Sequence, residues 1–282
     1  MYGIIPRHLV LMGSIPGTKH RGSSFLFSMR EFWAFFVKQV QASIFALFIF
    51  AMLLVSHWQN ILPRYDFVLI TCLGMQGFMW WRGLETKKEL ITICSFHLVG
   101  LVLELYKVRH GSWSYPEAAH SKFAGVPLFS GFMFAGVAIY IFQAYRVFDL
   151  EFTRMPKKWA ALLGVALIYI NFFTAAWLGD NRIWIILGLF ALFCPGLSNF
   201  TCNSKRLKMP MPLAFALIGF SVWVGENICT YLGAWVYPHQ VNGWQPVEPT
   251  KIVSWSMMVM VPFVMIWSWK GQKEIDSKPQ LS

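Results

Sequence analysis

The sequence predicts an all-α, polytopic membrane bundle of about eight transmembrane helices in two parallel four-helix repeats. Three observations predict it. Apolar runs close to the ~20 residues that cross a bilayer recur from one end to the other. Only 13% of the 282 residues are charged, where a soluble domain carries about a quarter. One motif, E-x6-G-[S/A]-W-x-Y-P, occurs twice with an offset of 122 residues and no insertion or deletion.

Taken in order, the spans fall at roughly 35–56, 65–81, 89–106, 127–147, 159–178, 182–200, 211–231 and 251–269. Residues 1–30 hold Pro6, Gly13, Pro16, Gly17 and Gly22 among basic residues, with no secretory apolar core. They read as a cytoplasmic N-terminal extension. Residues 31–150 make the first repeat, 151–270 the second, and 271–282 a cytoplasmic tail. The same offset pairs Cys72, Gly74 and Phe78 with Cys194, Gly196 and Phe200, and Pro127 with Pro249. Chance agreement in an apolar alphabet accounts for these outlying matches. It does not account for five matches within thirteen positions that include Glu and Trp. Four spans per half is an even number, so the halves share one orientation, a parallel repeat.

The formal charge of +11 invites a nucleic-acid reading until its distribution is examined. Counting alternate loops, 17 of the 24 Lys and Arg fall on one side and six on the other, with Lys38 inside the first apolar stretch. That is a positive-inside bias, which places both termini in the cytoplasm of a multi-pass cell-membrane protein. The partner implied is the bilayer, not nucleic acid. Five cysteines lie in or beside apolar segments without a CxxC pair, as small buried hydrophobes do. No metal-ligand spacing occurs, and the cofactor is unknown. His110, His120 and His239 accompany Glu117 and Glu248 in the outer loops only loosely.

The orientation puts both motif copies at the outer face, in loops of about 107–126 and 232–250. Their Pro, Gly, Trp and Tyr content predicts packed caps. Glu104 and Glu226 sit about one turn inside the ends of spans three and seven. A carboxylate at that depth is costly and marks a functional site by default. Lys107, three residues after Glu104, shares its helical face and is expected to keep that group ionised. Cys229 occupies the corresponding position after Glu226, so the pair is expected to divide into an anion and a neutral acid, with Glu226 the donor. The competing explanation has each Glu holding only the loop opposite. Trp113, Tyr115, Trp235 and Tyr237 suit an interfacial belt when taken singly. Their fixed spacing from the Glu predicts the walls of a shared pocket, with Asn227 beside Glu226. His97 lies two turns deeper on the Glu104 stripe, as a core histidine or a proton relay. Arg109 and Lys122 suit either an anionic head group or solvated loop charge. Gly131, Gly136, Gly74 and Gly77 predict close helix approach.

The stretch His97–Met133, with Glu-Leu-Tyr-Lys, Gly-Ser-Trp-Ser-Tyr-Pro-Glu and Val-Pro-Leu-Phe-Ser-Gly-Phe-Met, resembles the bacterial membrane-protein family of domain of unknown function 817, the YoaT-like proteins. The second motif fits the same family, and the resemblance covers about residues 28–270. It implies a membrane protein and no particular activity. A looser likeness is to membrane carotenoid hydratases and lycopene cyclases, which place a Glu upstream of a Gly-aromatic-x-Tyr turn. Here the interval is shorter and their additional Gly-rich turn is absent.

Three functions follow from these residues. The first is acid/base chemistry on an apolar, isoprenoid-like lipid. The second is a proton- or cation-coupled small-molecule transporter or channel, with a polar path near Gln76, Asn171 or Asn199. The third is a scaffold whose motif shapes two caps. An enzyme requires both Glu side chains in one chamber, whereas a scaffold leaves them apart and locally satisfied.

Overall fold

In the computed structural model, residues 29–203 and 205–269 are described. Most of residues 1–30 and 271–282, the predicted extension and tail, lie outside them. Nine helices occur among the described residues: α1 (Met29–Ala42), α2 (Ile44–Val55), α3 (Arg64–Trp81), α4 (Lys87–Arg109), α5 (Ser130–Phe148), α6 (Lys158–Leu178), α7 (Arg182–Phe193), α8 (Met211–Tyr231) and α9 (Lys251–Trp269). Their starts follow local chemistry. Thr86 and Glu89 form a capping box that opens α4, and each satisfies a backbone N–H left free by the first helical turn. Pro210 and Pro212 open α8, where a missing N–H removes no intrahelical bond.

Helices α4, α5, α6, α8 and α9 are each long and apolar enough to cross a membrane. The first predicted span is not one straight helix: α1 and α2 meet at Ser43 with a bend of 68°, and together they make a sixth candidate. Helix α3 has the length but carries Arg64, Asp66 and Gln76 and is not apolar enough. The sixth predicted span, 182–200, is corrected. Helix α7 ends at Phe193, and twelve residues reach about 18 Å against a ~30 Å hydrocarbon core. Pro195 explains the stop, because it has no N–H to donate back along the helix.

Past that break the chain pairs as strands. β3 (Glu151–Thr153), β4 (Leu197–Cys202) and β5 (Lys205–Pro210) form an antiparallel sheet in that order. Asn199 faces Glu151 on one side and Lys208 on the other. This sheet closes the end of the bundle opposite the repeated motif. Lys38 of α1 reaches into it, donating to the carbonyls of Val147 (2.7 Å) and Thr201 (2.8 Å). A two-residue ladder, β1 (Lys122–Phe123) with β2 (Val126–Pro127), lies at the motif end.

The core forms around α5 and α9, the most buried of the candidate spans. α4 lies on α5 at close range. A Cβ at Gly100 would stand 2.6 Å from Phe134, and one at Gly131 would stand 2.7 Å from the His97 carbonyl oxygen. α8 approaches α9 likewise, since a Cβ at Gly219 would stand 2.7 Å from the Ser256 nitrogen. Without a hydrophobic driving force between helices in lipid, such close backbone approach is what holds spans together. Gly74 and Gly77 take no part, since nothing lies within 4 Å of a Cβ at either. Gly136 makes only ordinary contact with Phe45.

Candidate functional site

Both motif copies end their helix in the same way. After α4, His110 N, Gly111 N and Ser112 N donate to the carbonyls of Tyr106, Val108 and Lys107. After α8, Leu232 N, Gly233 N and Ala234 N donate to those of Ile228, Thr230 and Cys229, each shifted by the motif offset. Gly111 and Gly233 share φ +68°, a left-handed conformation that a side chain opposes by roughly 1–2 kcal/mol. The two turns then meet. Ser114 and Val236 exchange both backbone hydrogen bonds, at 2.9 and 2.8 Å, in an isolated antiparallel bridge.

That meeting brings the aromatic residues together across the copies. Trp113 lies edge-on to Tyr237 with centroids 6.0 Å apart, and Tyr115 lies 6.5 Å from Trp235. The Tyr115 hydroxyl donates to Glu104 Oε2 at 2.8 Å, and Trp113 Nε1 donates to the same oxygen at 2.8 Å. The Tyr237 hydroxyl donates to Glu226 Oε1, but here the indole is Trp255, 2.7 Å from Oε2. Burial, and then the adjacent carboxylate, pushes each phenol well above its ordinary value, so both remain protonated donors. Glu104 and Glu226 are 3% and 4% exposed, yet both border one chamber of about 230 Å³. Its walls are mainly apolar, formed by Met133, Phe134, Ile168, Phe172, Met257 and Met258, with Trp113, Trp235 and Tyr237.

Lys107 borders the chamber but makes no ion pair with Glu104 within 4 Å among the described residues. Its ammonium lies 4.3 Å from the Phe172 ring centroid. A second cation at the chamber is one that helical spacing did not suggest. Lys251 opens α9 and lies over the rings of Tyr237 (4.7 Å) and Trp113 (5.4 Å), where it acts electrostatically on both Glu side chains. Lys251 and Trp255 are four residues apart and so share a helical face. A lone cation opening an apolar span was the available signal.

His97 and Asn227 are not in the chamber. The His97 ring packs on Phe132 at 4.5 Å, with Nδ1 buried and unpartnered. Asn227 ties α8 to its loop, donating to the Trp223 carbonyl and accepting from Val247 N, both at 2.9 Å. Asn171 borders the chamber and accepts from Asn181 N.

The loops are packed caps, fastened by α3. Buried Arg64 donates to Ser56, Glu117 and the Leu232 carbonyl, while Asp66 accepts from His120 N, Ser121 N and the Ser121 hydroxyl. Lys122 donates to the carbonyls of Tyr115 (2.7 Å) and Glu117 (2.9 Å), so its charge is held against the loop. Arg109 is exposed. Among the described residues no three of His, Cys, Asp or Glu are grouped as metal ligands.

Five or six apolar helices among the described residues define a multi-pass membrane protein. The chain belongs to the family described as "Protein of unknown function (DUF817)", whose pattern matches residues 31–263. It is 44% identical over 239 residues to the "Uncharacterized protein YoaT" of Bacillus subtilis (strain 168), covering 84% of this chain and 90% of that one. No solved structure matches it. Neither match carries the looser likeness to carotenoid hydratases and lycopene cyclases.

Proposed function

We propose that this protein is a membrane enzyme in which Glu104 and Glu226 move protons on an apolar, isoprenoid-like lipid. The observation that carries this is that both carboxyls, far apart in sequence, border one mainly apolar chamber. In an environment poor in water, a positioned carboxyl contributes to general acid/base catalysis more than it does in solution.

The hydrogen bonds suggest the roles. Glu104 receives both donors on Oε2 and leaves Oε1 without a protein partner among the described residues, which suits the group that delivers a proton. Glu226 receives a donor on each oxygen, which stabilises its anion and suits the group that collects one. This reverses the assignment drawn from Lys107. A proton added to one carbon and removed from another shifts a double bond and needs no co-reactant.

The bridge between Ser114 and Val236 and the reciprocal aromatic pairs support two repeats, 31–150 and 151–270, related by an approximate twofold axis at the bridge. On this reading α3 and α7 are the second and sixth members of the bundle, the one polar and the other too short to cross alone. The Lys and Arg bias supports an outward-facing motif end in the cell membrane, with both termini cytoplasmic.

The transport reading is less well supported. Gln76 bonds Glu85, and Asn199 bonds Glu151 and Thr153 in the sheet, so neither extends the chamber. Replacing Glu104 or Glu226 with Gln tests the proposal. Extracted lipids from cells making the wild type are expected to differ from those of cells lacking it, and either Gln variant at equal abundance is expected to restore the profile of the latter. Gln variants that change lipids as the wild type does would exclude the enzyme.

A further inference from the structure

Two ammonium groups at the chamber touch no anion among the described residues. Lys107 and Lys251 border it half-buried, and among the described residues neither ammonium has a hydrogen-bond acceptor or a carboxylate within 4 Å. Each lies on aromatic faces instead, at 4.3 Å for Phe172 and 4.7 Å for Tyr237. A ring face attracts a cation but does not cancel its charge. Arg182, the third cation of the lining, is already compensated. It is ion-paired to Asp180 and donates to Ser254 at 2.9 Å. Burial of Asp180 raises its carboxyl, but the hydrogen bonds and charge of Arg182 outweigh this and hold it below the ordinary value, so that pair stays ionised. The donors on Glu104 and Glu226 are Trp and Tyr, not these lysines. Two positive charges therefore face a chamber with mainly apolar walls.

We infer that the chamber takes a lipid phosphate monoester, its phosphate held between Lys107 and Lys251 and its chain laid along Phe172, Met133 and Met257. This rests on the lipid-enzyme reading and names its substrate class. With Glu104 protonated as the acid, Lys107 and Lys251 share the chamber with one anion, Glu226, so the lining keeps a positive charge for an anionic head group. A phosphate monoester, at about −1.5 to −2 at pH 7, offers terminal oxygens to both ammonium groups at once. The chamber volume of about 230 Å³ accommodates a head group and the first carbons, so the rest of the chain extends into the bilayer.

The test is direct binding to the full-length protein in lipid nanodiscs, with farnesyl monophosphate, farnesol, farnesoic acid and inorganic phosphate as probes. Farnesyl monophosphate is expected to bind at least tenfold more tightly than the other three. Lys107→Gln and Lys251→Gln are each expected to weaken it about tenfold, with Lys107→Arg and Lys251→Arg recovering most of the loss. Unliganded melting temperature identifies any variant that fails to fold, and the Arg forms then carry the comparison. Farnesol binding as tightly would overturn the phosphate site. Farnesoic acid binding as tightly would overturn the dianion, and inorganic phosphate binding as tightly would overturn the lipid. Glu104→Gln separates the two claims: binding that persists while the lipid change is lost supports both. A lipid change that depends on the Glu pair without farnesyl monophosphate binding would sink this inference alone.

Discussion

The two ends of the bundle obey different rules. At the motif end, residues separated by the offset make the same backbone bonds, adopt the same φ at Gly111 and Gly233, and place equivalent tyrosines on equivalent carboxyls. At the opposite end the correspondence is lost. Arg146 pairs with Glu89, Gln76 bonds Glu85, and Lys38 caps two carbonyls beside a sheet. Glu85 and Glu89 correspond by offset to Leu207 and Met211, which can make no such network. The lesson is that repetition holds where two copies must build one chamber, and lapses where the end only has to be closed.

The largest expected effect comes from removing the residue that fastens the motif end. Arg64→Ala deletes a buried guanidinium together with its hydrogen bonds to Ser56, Glu117 and the Leu232 carbonyl. A loss of about 3 kcal/mol is expected in detergent unfolding, the order of one or two hydrogen bonds made by a charged group. A change below about 0.5 kcal/mol would show that the caps hold without α3.

Next in size is a pH effect at the opposite end. Burial pushes the Glu85 carboxyl in the loop before α4 up to about 7 from 4.5, with Glu89 adding to the rise and Gln76 and Arg146 opposing it. The folded state thus binds a proton that the unfolded state has released. Stability is retained below about 4.5, declines as pH rises, and levels off past about 7, a total near 3 kcal/mol at about 1.4 kcal/mol per unit. Unfolding measured across this range should slope downward for the wild type and be flatter for Glu85→Gln. No motif-end variant is expected to remove that slope.

Smaller effects compare the two copies directly. Gly111→Ala and Gly233→Ala are each expected to lose about 1–2 kcal/mol. The two losses should be alike, because a Cβ at Gly233 would make only ordinary contact with Arg64 Nη1 at 3.6 Å and Gly111 is open. Trp113→Phe and Trp255→Phe each delete one N–H donor to a carboxyl, and about 1 kcal/mol each is expected in the same assay. Unequal glycine losses, or unequal indole losses, would break the equivalence of the copies.

The sequence showed the helix positions and the paired motif, because long apolar runs and an exact offset are both visible without coordinates. It missed β4. Leu-Ser-Asn-Phe-Thr-Cys continues an apolar run, and periodicity does not separate a short strand from a helix end. Pro195, inside the predicted span 182–200, is the cue. The bend at Ser43 has no Pro or Gly to announce it. Lys251 and Trp255 escaped for a different reason. Their offset partners are Phe129 and Met133, so a search for repeated residues passes over them. Lys107 does not make the pairing that its spacing suggested, since its long stem carries the charge to Phe172 and not back to Glu104.

The most direct measurement of the central claim is a double-mutant cycle on the carboxyls. Unfolding free energies of Glu104→Gln, Glu226→Gln and the double variant are compared in one detergent. Two groups in one chamber are expected to couple by 1 kcal/mol or more, on the order found for residues sharing a network. Losses that add to within about 0.3–0.5 kcal/mol would place the two carboxyls in separate sites and contradict the account.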